Sequence, residues 1–159
     1  MNRKKVVLTG IIIFALITAW FGSKLILFMV DYKAERVSLL NLKLSITNVE
    51  AEENDTFFIS VHLNNNHSRD ITIKQIIFNI FENKTGNRLM TGMIDYSVNN
   101  GFILSGHAEH TEEFTEKALA QIGHGTPIDV RVVVSVRIRT KYYRESRIKS
   151  ETNTTITFY

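Results

Sequence analysis

The stretch Val61–Gly86, VHLNNNHSRDITIKQIIFNIFENKTG, decides how this chain folds. The strand entering it alternates, with Phe57, Ile59, Val61 and Leu63 on one side and Ser60 and His62 on the other. That is the two-residue period of a half-buried β-strand. The cluster NNNHSRD then ends the run. Asparagine tolerates positive φ and caps its own backbone, so the cluster predicts a turn. Alternation resumes at Ile71, but out of step: Ile71 and Ile73 share one parity, Ile76, Phe78 and Ile80 the other. A regular strand would turn one of these sets to water. One extra residue near Lys74–Gln75 returns both to a single face, so the sequence predicts a β-bulge there.

The same period extends outward in both directions. Leu40, Leu42, Leu44 and Ile46 share a face in the stretch from Ser38, and NKTGNR predicts a turn before the strand LMTGMIDYSV. NNG leads into FILSGHAEHTEEF, read as a further strand. Val130, Val132, Val134, Val136 and Ile138 form an inward row, and Ile156 and Phe158 another near the end. TEKALAQIGHG breaks the pattern, because Ala118, Leu119 and Ile122 have helical spacing and Gly123 and Gly125 supply a stop; one short helix is expected there. About seven strands with turns at regular intervals predict an all-β, antiparallel β-sandwich of the immunoglobulin/fibronectin-III kind.

The N-terminus is a different material. Val6–Val30 is a long apolar run with Lys24 as its one charge, and it follows Arg3, Lys4 and Lys5. As a helix, 25 such residues span about 37 Å, enough to cross a bilayer core of about 30 Å with some tilt. Cleavage after Ala19 would place Ile17 at −3 and leave Trp20-Phe21 as the new start, which is poor signal-peptidase chemistry. The expectation is therefore an uncleaved signal anchor: a cytoplasmic tail at 1–5, a span at 6–30, a linker at 31–37 and an extracytoplasmic domain at 38–159. The basic flank at 3–5 sets that orientation. It also accounts for the formal charge of +3, because from Asp31 onward fifteen Lys and Arg face sixteen Asp and Glu. No nucleic-acid motif is present. With no cysteine, thiolate catalysis and cysteine–zinc sites are excluded, and no cofactor motif occurs.

The spacing I71-x-I73-x-x-I76-x-F78-x-I80 after Asn64-Asn65-Asn66, followed by Thr85-Gly86 and Leu89-Met90-Thr91-Gly92, resembles the water-stress and hypersensitive-response (WHy) domain of the late embryogenesis abundant group 2 proteins. In that family an Asn-Pro-Asn-like turn precedes a bulged strand; here Asn65 stands at the proline position. The resemblance runs from about Leu40 to Phe158. It implies a stress-related protective or binding role, often with a membrane anchor, and brings no catalytic residue set.

Four further stretches carry residues capable of chemistry or binding. HAEHTEEF is the best metal-like cluster, but on a strand His107 and Glu109 would point away from His110 and Glu112, and distant His62, His67 or His124 would be needed to complete a site. The carboxylates at Glu50, Glu52, Glu53 and Asp55, and at Glu109, Glu112, Glu113 and Glu116, read most simply as solvated loops or edge protection. Asn54, Asn66, Asn83 and Asn153 head N-x-[ST] glycosylation sequons, against the simpler reading of chance in turn-rich sequence. Last, RIRTKYYRESRIK offers Arg137, Arg139, Lys141, Arg144 and Arg147 as a stripe for an anionic partner. The plainer reading is a hairpin whose cations prevent edge-to-edge pairing.

The leading functional expectation is a membrane-anchored extracytoplasmic sandwich that binds, protects or supports, its partners the membrane and an envelope protein or anionic polymer. The alternative is a docking subunit of a larger cell-envelope complex, with an envelope hydrolase third.

Overall fold

The computed structural model describes residues 3–52, 54–123, 125–143 and 145–158, with side chains from residue 9 onward. The chain divides into two compact units, Met1–Arg36 and Val37–Tyr159. Helix α1 (Arg3–Asn41), most of which makes up the first, carries the apolar run. From Thr9 to Val30 every side chain except Gly22 is exposed. The helix runs on through the stretch expected to be a linker and a strand start: no glycine or proline interrupts 23–41, and the Asn41 side chain donates to Val37 O at 2.9 Å. Leu40, expected to face inward beside Leu42, is therefore a helical residue and 76% exposed.

The second unit holds eight strands in two antiparallel sheets: β1 (Leu42–Glu52), β2 (Thr56–Asn65), β3 (Ile71–Glu82), β4 (Arg88–Asp95), β5 (Phe102–Leu104), β6 (Glu109–Lys117), β7 (Ile128–Arg139) and β8 (Ser146–Ile156). One sheet has the order β1-β2-β6; the other runs β4-β3-β7-β8, with β5 also on β3. The arrangement is sandwich-like, because one cluster of buried side chains draws on both sheets. Phe57 meets Phe158 edge-on at 5.1 Å between ring centres, and Phe78 stacks on Phe114 at 4.4 Å.

The expected bulge is present. Along β3 and β7, Ile73 pairs with Ile138 and Gln75 with Arg137, so Lys74 is the extra residue. Ile71, Ile73, Ile76, Phe78 and Ile80 are consequently all buried, together with Val130, Val132, Val134, Val136 and Ile138.

Two expectations fail, each for a physical reason. FILSGHAEHTEEF is not one strand: β5 belongs to one sheet and β6 to the other. The crossover passes through Gly106, where a Cβ would collide with the backbone of Ser68, and His107 at φ 58°. That break accounts for the eighth strand. The expected helix around Ala118–Ile122 is absent. Thr115, Glu116 and Lys117 are paired with β2 instead, and the next amides donate to Asp55 O (2.7 Å, from Ala118) and Leu89 O (2.8 Å, from Leu119). Three apolar residues before two glycines cannot offset helix nucleation when a strand ladder competes for the same amides. The described residues of this unit hold instead a single 3-10 turn, Ser97–Asn99.

The triple asparagine does more than turn the chain. Asn65 is fully buried. Its Nδ2 lies 2.8 Å from Arg69 O, 3.2 Å from Leu104 O and 3.0 Å from Ser105 O, and its Oδ1 accepts from the His67 amide at 3.2 Å. One side chain thus ties the turn after β2 to the crossover between β5 and β6.

Gly92 is equally specific. A Cβ there would overlap the Phe114 ring, the ring that stacks on Phe78. Gly92→Ala is expected to cost about 1–3 kcal/mol by overpacking, whereas exposed Thr91→Ala beside it stays within about 0.5 kcal/mol. Urea unfolding of the two variants measures the difference; equal midpoints would contradict the stacking role of Phe114.

Candidate functional site

The bulge shapes a bonded polar cluster on the surface. Lys74 Nζ donates to Asn100 O at 2.6 Å. Gln75 stands between Asp95 on β4 and Arg137 on β7. Its Nε2 donates to Asp95 Oδ2 (3.0 Å) and its Oε1 accepts from Arg137 Nη1 (2.9 Å). The Ser97 amide donates to Asp95 Oδ1 at 2.7 Å. The Ser97 amide first, the Ser97 side chain next and then Gln75 hold the Asp95 carboxyl below its ordinary value. Arg137 Nη2 lies 3.7 Å from Glu145 Oε2. Around this chain of bonds opens a cleft of about 340 Å3, its lining including Lys74, Gln75, Ser97, Arg137, Arg139 and Glu145.

The cleft is one end of a basic face. On the outward side of the same sheet Arg147 is opposite Arg137, and Lys149 is opposite Ser135. Farther along, the guanidinium groups of Arg88 and Arg131 lie 5.5 and 5.1 Å from the Phe81 ring centre, within cation–π range. Glu151 offsets part of this charge, 2.8 Å from Lys149 and 3.7 Å from Arg131; Lys149 first and Arg131 next hold its carboxyl below the ordinary value. The outward face of the other sheet has the opposite character. Its rows carry Glu50, Glu52, Glu109 and Glu113 against Lys43 and Lys117. The near-neutral domain therefore presents two faces of unlike sign.

The expected stripe is rearranged rather than simply displayed. Arg137 is half-buried and Arg139 exposed, both on β7. Lys141 does not continue their alternation, because β7 ends at Arg139 and the Thr140 amide closes a turn on Tyr143 O at 2.9 Å. Lys141 Nζ lies 4.9 Å from the Tyr142 ring centre. Arg147 joins from β8. Arg144 lies outside the described residues. Lys74, Gln75, Ser97 and Glu145 were not foreseen as site residues, although the broken parity at Lys74–Gln75 marked where the strand re-aims its polar side chains.

All four sequon asparagines are exposed. Asn54, Asn66 and Asn83 lie in turns, and Asn153 lies within β8. The histidine–carboxylate cluster is split, as alternation requires: Glu109 faces outward on β6, while half-buried His110 and Glu112 face inward, 2.6 Å apart. His107 sits in the crossover turn, and His124 and Glu53 lie outside the described residues. Among the described residues, no three His, Asp or Glu side chains converge in metal-binding geometry.

Comparison with known proteins places this architecture. The solution structure of a protein described as late embryogenesis abundant (LEA), At2g46140.1, superposes with a TM-score of 0.56, covering 86% of this chain and 84% of that one at 17% identity. The solution structure of AT1g01470 from Arabidopsis thaliana gives 0.54, covering 72% of this chain and 80% of that one at 20% identity. The domain has an LEA-like β fold. The X-ray structure of structural-genomics target SoR45 reaches 0.52 at 4% identity over 74% of this chain and 87% of that one, so the strand arrangement persists where the residues do not. No protein-family model and no curated protein matches the chain. The resemblance first carried by the bulged strand and its flanking turns is thus a resemblance of fold to LEA structures.

The Asp95 bonds set a pH dependence. A carboxyl whose folded pKa is depressed contributes stability above its unfolded value, and that contribution is lost as pH falls through the folded value. Stability is expected to decline below the ordinary value of 3.8, with a share of the decline missing in Asp95→Asn. Denaturant unfolding at pH 3 and pH 6 checks this; an identical decline in both proteins would contradict the bonded carboxylate.

Proposed function

We infer that the chain is a single-pass membrane protein, with its N-terminus cytoplasmic and its LEA-like domain outside, that acts by non-catalytic binding or protection. The observation that carries this reading is helix α1. No side chain in its most apolar stretch is buried, whereas the core helix of a soluble domain hides its apolar side. Left in water, such a surface would aggregate; in a bilayer it is satisfied. The span is proposed at 6–30, the following segment at 31–37 and the exported domain at 38–159. For the domain, two antiparallel sheets around one core support the proposal of a broad immunoglobulin/fibronectin class. Its basic face, with Arg137, Arg139 and Arg147, is the proposed contact for an anionic partner, and the four exposed sequons are available in a host that glycosylates.

A docking subunit of an envelope complex is the second reading. Among the described strands β6 pairs only with β2, leaving a free edge of the kind that accepts a partner strand. Four glutamates in its nine residues guard that edge against pairing, so the anchored binding module is preferred.

The mature protein is expected to keep its N-terminus through Val30, and protease added outside cells or right-side-out vesicles should digest the domain. Intact-mass measurement and protease protection check both. A mature N-terminus at Trp20, or a domain protected from external protease, would overturn the topology.

A further inference from the structure

Glu145 stands over the cleft as an internal anion. Its carboxylate lies 3.7 Å from Arg137 Nη2 while its side chain is 75% exposed, a contact longer than a hydrogen bond and open to water. Arg137 is otherwise well fixed. Gln75 holds Nη1, Asp95 holds Gln75, and the Ser97 amide holds Asp95. Arg139, two residues along the same outward row of β7, is exposed and also lines the cleft. A guanidinium held in place by its neighbours, with a second beside it, is suited to an oxyanion.

Resting on the binding role inferred above, we propose that this cleft takes a pendant carboxylate or phosphate of an acidic polymer, and that Glu145 competes with it for Arg137. A polymer suits the face better than a lone ion. Arg147 lies opposite Arg137, and Lys149 follows it on β8, so cations recur at the two-residue repeat of a strand, about 6.8 Å. Charges repeating along a flexible chain can meet that row in turn. The ligand displaces the Glu145 carboxylate, which swings into solvent without disturbing the sheet.

The distinguishing consequence is a gain of function. Full-length protein in neutral detergent is titrated with fluorescent polyglutamate and with polyphosphate at 10 mM salt, where the Debye length is about 30 Å. Glu145→Gln should bind up to about five-fold more tightly, the worth of an exposed ion pair. Glu113→Gln, which makes the same change in net charge on the outward face of the other sheet, should leave binding unchanged. Arg137→Ser with Arg139→Ser should weaken binding about ten-fold or more, with the thermal transition retained as the check on folding. Polyglutamate against polyphosphate tells which oxyanion is taken.

If Glu145→Gln and Glu113→Gln tighten binding equally, or if Glu145→Gln has no effect, the internal-competitor proposal is wrong even where the double arginine variant still loses binding. If the double variant binds as the parent does, the basic face itself is not the contact. If the full-length protein ignores both polymers but collects anionic lipid in mixed micelles, the ligand class is wrong.

Discussion

One extra residue governs this domain. Paired with no bulge, β3 would have to turn either Ile71 and Ile73 or Ile76, Phe78 and Ile80 to water; with Lys74 bulged, all five are buried. Each such side chain contributes about 1.5–3 kcal/mol when taken out of water, so the choice of phase is comparable to the whole stability of a small domain. The bulge also divides the edge of β3 between two partners. Residues 71–73 pair with β5 and residues from Gln75 onward pair with β4, while Lys74 O accepts from the Tyr96 amide at 2.9 Å where the two meet.

The same irregularity makes the surface chemistry. A regular strand would carry Lys74 and Gln75 to opposite faces. The bulge leaves both half-exposed, one bonded to Asn100 and the other positioned to hold Arg137. What buries the core on one side of β3 thus orders the basic cleft on the other. The fold and the candidate site share one cause.

How much of this was legible depended on whether the deciding interaction was local. The parity break at Lys74–Gln75 and the inward rows of β2, β3 and β7 are written in neighbouring residues, and the bulge and the buried rows match them. Asn65 was legible only as a turn residue, because the carbonyls it approaches belong to Arg69, Leu104 and Ser105, two of them some forty positions away. Gly92 was noticed as part of a resemblance, but its reason, the ring of Phe114, lies on the other sheet. The segment Ala118–Ile122 misled because helical spacing over five residues is weak beside amide bonds to Asp55 and Leu89 that no local pattern announces. The cleft was half visible: its arginines stand in an obvious basic run, whereas Lys74, Gln75 and Ser97 reach it only through sheet topology.

The bulge is tested most directly by deletion. Removing Lys74 alone leaves Ile73 opposite Ile138 and Gln75 opposite Arg137 as consecutive pairs, with Ile71, Ile73, Ile76, Phe78 and Ile80 all still facing inward. Removing Asn79 instead reverses the phase of the strand between Phe78 and Ile80. The Lys74 deletion is expected to unfold cooperatively at a denaturant midpoint close to that of the intact chain, while the Asn79 deletion loses its cooperative transition. Equal damage from both deletions would contradict the bulge as the constraint on which the domain is built.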